Sequence, residues 1–273
     1  MKRIATAVVV LPILIYTLWS PIPYLFVGLA AAAVLLGLGE FYHLAAMNGC
    51  KPSSVLGYSA GLLVLASFVF QRPDYIVPVI AALGITSLAA GLLHADEMNK
   101  ALISAAATLL GVVYVAVLAG YLIGVRMLAD QTAIIHAGPK LLTAFLAIVM
   151  LTDTGAYYTG RTLGKHKLSP KVSPGKTVEG SIGGLAAGIA AGGLSHLIFF
   201  RELPLVHGLI LGGLVSIVGQ LGDLAESMLK RGASVKDASH LLPGHGGMLD
   251  RLDSILFAAP LIYYYARIFP LSH

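Results

Sequence analysis

Long apolar runs separated by short polar intervals make up most of this chain. Roughly nine windows are long and greasy enough to cross a bilayer as helices: 4–20, 22–43, 55–71, 74–93, 102–124, 139–159, 179–200, 205–223 and 252–269. A tight Pro21-Ile22-Pro23 turn joins the first two. Lys2-Arg3 followed by the apolar run Ile4 to Leu18 imitates a secretory signal. Trp19-Ser20-Pro21 offers no small-x-small cleavage site, so the run reads as a retained first span. The predicted fold class is an all-α, polytopic integral membrane protein of about nine transmembrane helices. Two polar intervals interrupt the pattern, 160–178 and Ser227 to Ser254, and the second is the longer.

Composition agrees with the pattern. The 273 residues are 57% hydrophobic and 11% charged, with a mean hydropathy of +0.85; soluble domains carry about 25% charged residues. A soluble globular protein is excluded. The lone Cys50 rules out an internal disulfide, and no Cys₂His₂-type spacing suggests structural zinc. The net charge of +5 is modest, and no nucleic-acid partner is expected. With the N-terminus inside, all but five of the 18 Lys and Arg residues fall on inner segments. The five outer ones are Arg72, Arg126, Lys140, Arg201 and Arg267. The positive-inside rule then puts both polar intervals in the cytoplasm and the C-terminus outside, in a cell inner (plasma) membrane.

A composition shift near residue 139 separates a chemically quiet region, 1–138, from a catalytic one, 139–273. The first reads as scaffold with room for dimer contacts. Its Glu40, His43 and His94-Ala95-Asp96-Glu97 read as interfacial residues.

The second region carries the chemistry. Asp153, near the cytoplasmic end of the sixth window, is a carboxylate where one is costly, about 2.5–3.5 kcal/mol at mid-bilayer and less near the interface. Either it serves a ligand or it pairs with Arg161. Next come Arg161, Lys165, Lys167, Lys171 and Lys176, with two Ser-Pro steps and Gly175 that keep the interval from being helical. Such a loop can satisfy the positive-inside rule alone. Ser173, Gly175, Lys176 and Thr177, followed by Glu179, nevertheless resemble a phosphate cradle before a helix N-terminus, where anions are favoured. The spacing is not that of a Walker loop.

Ser216, Gln220, Asp223, Ser227 and Lys230 recur three or four residues apart, on one helical face. A polar stripe in a membrane helix faces protein or water. It leads into the longest polar interval, with Lys230, Arg231, Lys236, Asp237, His240, His245, the Gly246-Gly247 turn, Asp250, Arg251 and Asp253. Asp250 and Asp253 are i, i+3 at the start of the last window. Carboxylates on separate elements suit a divalent ion on a nucleotide phosphate, since Mg²⁺ prefers hard oxygens and keeps several waters.

The segment SMLKRGASVKDASHLLPGHGGMLDRLD, Ser227 to Asp253, resembles the signature of the phosphatidate cytidylyltransferase (CDP-diglyceride synthase) family. Ser173-Pro174-Gly175-Lys176-Thr177-Val178-Glu179-Gly180 resembles that family's second hallmark. The resemblance implies that CTP and phosphatidic acid give CDP-diacylglycerol and pyrophosphate, with Mg²⁺ and a monovalent cation such as K⁺. It implies Asp223 and Asp250 at the metal site, and a homodimer with a polar cavity open to cytoplasm and lipid. Asp153 and Asp253 are further metal candidates. The catalytic set expected is Asp223, Lys230, Arg231, Lys236, Asp237, His245, Asp250 and Arg251; the substrate-binding set is Ser173, Gly175, Lys176, Thr177, Glu179, Gly246 and Gly247. Other readings are a CTP-dependent lipid kinase, a CDP-archaeol-type synthase and, more distantly, an ion-coupled transporter, which predicts broken helices in two repeats.

Overall fold

A computed structural model describes residues 2–94, 98–128, 134–239 and 246–269. Ala95 to Glu97, His240, His245 and the C-terminal His273 lie outside the described residues. Helices dominate: α1 Lys2–Trp19, α2 Tyr24–Met47, α3 Ser54–Val69, α4 Ile76–His94, α5 Met98–Gly111, α6 Leu118–Met127, α7 Ala137–Leu163, α8 Val178–Ile198, α9 Leu205–Gly232 and α10 Leu249–Ile268. A π-helical stretch, Val112–Val117, links α5 to α6.

Every predicted window falls on a helix, but six stretches among the described residues are long and apolar enough to cross a membrane. The chain is a multi-pass membrane protein. The differences in count have local causes. The third helix, Ser54–Val69, has only 16 residues. The last helix carries Asp250, Arg251, Asp253 and Arg267 within its length. Elsewhere the spans keep much of their greasy surface outward; only 11% of the apolar window in Pro73–Leu93 is buried. Leu92, Leu93 and Ile198 are each more than 70% exposed, as lipid-facing side chains are.

Among the described residues, the all-α expectation has one exception. Lys167–Ser169 (β1) and Ser173–Thr177 (β2) form an antiparallel hairpin in the basic interval. Its proline and glycine content had marked it only as non-helical.

The chain divides into two compact units. The first is Met1–Met127 with Leu229–Arg251, and the second is Leu128–Met228 with Leu252–His273. The expected boundary at 139 thus lies inside the second unit, and most of the longest polar interval belongs with the N-terminal helices. In the first unit, the buried Tyr42 hydroxyl donates to the Thr108 carbonyl at 3.0 Å. Arg126, expected at an outer loop, is buried and donates to the Ser20 carbonyl at 2.6 Å.

In the second unit α7, α8 and α9 approach closely because their contact faces are small. A Cβ at Gly184 would stand 2.8 Å from the Thr152 carbonyl oxygen, and one at Gly188 would overlap the Ser216 hydroxyl. Small faces let backbones meet in lipid, where no hydrophobic drive separates helix from tail. The Thr152–Ser216 hydroxyl pair, 2.7 Å and buried, stitches α7 to α9.

Candidate active site

The polar stripe of α9 faces protein within the second unit. Ser216 bonds Thr152. Gln220 accepts from the Ser181 hydroxyl at 2.5 Å and donates to its carbonyl at 3.3 Å. Asp223 holds the Lys176 ammonium at 2.5 Å. Helical spacing thus becomes three successive polar contacts, to α7, α8 and β2.

The last two contacts lie on the wall of a cavity of about 490 Å³. Asp153, Tyr157 and Arg161 come to it from α7, Ser173, Gly175, Lys176 and Thr177 from β2, Ser181 from α8, and Gln220 and Asp223 from α9. Thr177 is the N-cap of α8, its hydroxyl oxygen accepting from Gly180 N–H at 3.1 Å. The hydroxyl proton remains to be donated. Arg161 donates to the Tyr157 hydroxyl at 3.1 Å. Two cations and several hydroxyl donors around a helix start suit a phosphorylated ligand.

An apolar cleft of about 190 Å³ adjoins this cavity and shares Leu168, Ser181 and Gln220 with it. Ile182 and Leu185 of α8 and Ile217, Leu221 and Leu224 of α9 complete its walls. A cavity with charged residues on its wall and a greasy cleft thus share three wall residues.

Glu179 is not among the cavity's lining residues. Its carboxylate accepts from the backbone N–H groups of Lys165 and His166 at 3.0 and 3.2 Å and meets the His166 ring at 2.6 Å. It holds the turn between α7 and the hairpin. Tyr157 and Ser181 were missed by sequence reasoning, because one apolar-looking aromatic and one serine among glycines carry no pattern.

The first unit gathers a second group of predicted residues. Lys230 donates to Asp250 Oδ1 at 2.6 Å, with side chains only 13% and 7% exposed. Asp250 Oδ2 accepts from Ala238 N–H at 3.0 Å and Gly247 N–H at 2.7 Å. Gly246 adopts φ +79°, a conformation that favours glycine. Arg231 donates to the Val235 carbonyl at 3.3 Å. Lys236, Asp237 and Arg251 are exposed. Asp253 falls in the second unit and accepts from its neighbour Ser254 N–H at 2.6 Å. Asp223 and Asp250 belong to different units, and each carboxylate is described by its own partners. His245 lies outside the described residues.

No cluster of three or more His, Cys, Asp or Glu side chains able to cage a metal occurs among the described residues. A Mg²⁺ ion does not need one: it commonly takes one or two carboxylates and fills its shell with water and substrate phosphate. Asp153 and Asp223, on the same cavity wall with the Gln220 amide, fit that mode.

A membrane-embedded protein with cations, carboxylates and hydroxyls on one cavity wall is the class this fold and cavity define. Residues 1–269 match the Cytidylyltransferase family, and the chain belongs to it. A "Phosphatidate cytidylyltransferase" of Staphylococcus haemolyticus is 37% identical over 268 residues, covering 95% of this chain and 97% of that one. A protein of the same name from Bacillus subtilis is 41% identical over 162 residues, 59% of this chain and 57% of its own. Another from Staphylococcus aureus strain COL is 49% identical over 124 residues, 45% and 46% of the two chains.

Proposed function

We propose that the cavity of the second unit is where this enzyme transfers the cytidylyl group of CTP to phosphatidic acid, giving CDP-diacylglycerol and pyrophosphate. The observation that carries this placement is the Lys176–Asp223 pair on the cavity wall. A cation and a carboxylate already matched to each other can both turn to an incoming phosphate–metal pair.

The acceptor phosphate is its own nucleophile. One of its oxygens forms the new bond to the α-phosphorus of CTP, while the bond from that phosphorus to the bridging oxygen breaks and pyrophosphate leaves. The protein's task is positioning and charge neutralisation. Lys176 and Arg161 take up phosphate charge. The hydroxyls of Ser173 and Thr177 donate to phosphate oxygens and fix their orientation. Asp153 and Asp223 would hold Mg²⁺, which supplies Lewis-acid stabilisation of the reacting phosphates. K⁺ belongs to the same proposal as the monovalent companion implied by the family resemblance. The apolar cleft lined by Ile182, Leu185 and Leu221 takes the first part of an acyl chain, leaving the remainder in the bilayer.

Lys230, Arg231, Lys236, Asp237, Asp250, Arg251 and the Gly246-Gly247 turn form the second functional element of this reading. Both polar intervals face the cytoplasm in the plasma membrane, with the C-terminus outside. Cysteines placed at Ser169 and Ser234 should resist an impermeant reagent in intact cells; labelling of either reverses the orientation. The chain acts as a homodimer, to be checked by mass measurement in nanodiscs.

The test of function is direct. Purified protein should convert CTP and phosphatidic acid to CDP-diacylglycerol and pyrophosphate, and should leave a polyprenol acceptor unchanged. Phosphorylation of the polyprenol instead would replace this reading with the lipid-kinase one.

A further inference from the structure

Glu40 sits on α2, in the region that looked chemically quiet, yet it is buried with 7% of its surface exposed. A buried carboxylate is costly unless hydrogen-bonded. Its partners are supplied by residues about 200 positions away. Oε1 accepts from the Ser239 hydroxyl at 2.5 Å and from Met248 N–H at 2.9 Å. Oε2 accepts from Leu249 N–H at 2.7 Å.

These donors come from both ends of the segment that carries His240 and His245. Met248 and Leu249 are at the start of α10, whose first N–H groups have no partner inside the helix and favour a negative charge. Ser239 is at the segment's other end. Asp250 repeats the arrangement, accepting from Ala238 at one end and Gly247 at the other. Two carboxylates, one from α2 and one from α10, therefore hold the same pair of segment ends. Gly247 is the close-approach point: a Cβ there would come within 2.6 Å of Glu40 Oε2.

We infer that Glu40 is a positioning residue for cytidylyl transfer, holding the ends of the 239–248 segment at the separation the reaction requires. The inference rests on the reading that this segment serves the reaction. Its acceptor chemistry is specific. Gln is nearly isosteric but has a single acceptor oxygen, so its NH₂ would face one of the donors. Asp keeps both oxygens on a stem one methylene shorter.

The test uses full-length protein in nanodiscs with CTP and phosphatidic acid, comparing wild type, Glu40→Gln, Glu40→Asp and Ser239→Ala. Turnover is normalised to the CTP bound per chain, and amide hydrogen exchange is followed in parallel. Glu40→Gln should lower kcat by about 10- to 100-fold, the scale of a small misplacement of reacting groups. Faster exchange should be confined to residues 238–249, and Glu40→Asp should recover part of the loss. Ser239→Ala removes one donor and leaves the carboxylate, so it should cost about two- to fivefold in kcat. A Glu40→Gln kcat within twofold of wild type per CTP-binding chain overturns the inference. So does exchange that rises throughout α2 and α3 while normalised turnover is kept, which marks a folding role alone. If Glu40→Gln does not fold, Ser239→Ala decides, and unchanged kcat and exchange overturn it. Wild-type protein inactive on phosphatidic acid would sink the functional reading, while the exchange comparison still reports on the clamp.

Discussion

Two lysine–aspartate pairs, alike in chemistry and in length, sit in the two units under unequal conditions. Lys230–Asp250 is nearly sealed, at 13% and 7% exposed, and Asp250 is also held by two backbone N–H groups. Lys176–Asp223 is about a third exposed on each side and lies on a cavity wall. Burial separates their roles. A sealed pair cannot lose one member without stranding the other charge, so it fastens a loop. A half-open pair gains little from its own attraction, so an incoming anion and cation can exchange with it at small cost.

Removing the sealed lysine should have the largest effect. Lys230→Ala should destabilise the protein by about 3–5 kcal/mol, the range for leaving one buried charge unpaired. A detergent thermal melt checks this, and a melt close to wild type would erase the distinction between the pairs. Next comes Asp223→Asn, which should cut turnover by about 100-fold while moving the melt little. A large drop in its melting temperature would make the open pair structural as well.

Smaller effects sharpen the picture around the open pair. Thr177→Ala removes the α8 cap and should cost about 1 kcal/mol, and Thr177→Ser should restore most of it. Chemical denaturation of the two variants compares them. The smallest effect belongs to the pair Lys140–Glu202, 2.6 Å apart, with side chains 19% and 39% exposed. The hydrogen bond from Lys140 holds the Glu202 carboxyl below its ordinary value. Its stabilising contribution is therefore present above the ordinary glutamate range and lost as pH falls through the lowered value. Melts of wild type and Lys140→Ala should differ slightly at neutral pH and converge in acid; a gap that widens in acid would contradict the pairing.

Patterns that repeat along the chain were legible in the sequence. Every apolar window became a helix, and the spacing of Ser216, Gln220 and Asp223 put all three on one face with polar partners. The cradle residues Ser173, Gly175, Lys176 and Thr177 share one cavity because β2 runs directly into the N-cap of α8. What was hidden depends on contacts distant in sequence. Glu40 looked interfacial because its partners are 199 to 209 residues away. Glu179 matched the phosphate motif in spacing yet turns to the Lys165 and His166 backbone, a choice no local pattern records. The hairpin was invisible because Pro170 and Pro174 argue against helix without arguing for strand.

The central claim is that Lys176 exchanges Asp223 for the phosphates of CTP. Its most direct test is the CTP concentration dependence of turnover in Lys176→Ala, measured beside wild type with the melting temperature of each. The account predicts a KM for CTP raised by about tenfold or more, the scale of a lost charge-assisted contact, with the melt nearly unchanged. An unaltered KM, or a loss of turnover that follows a loss of folded protein, would contradict it.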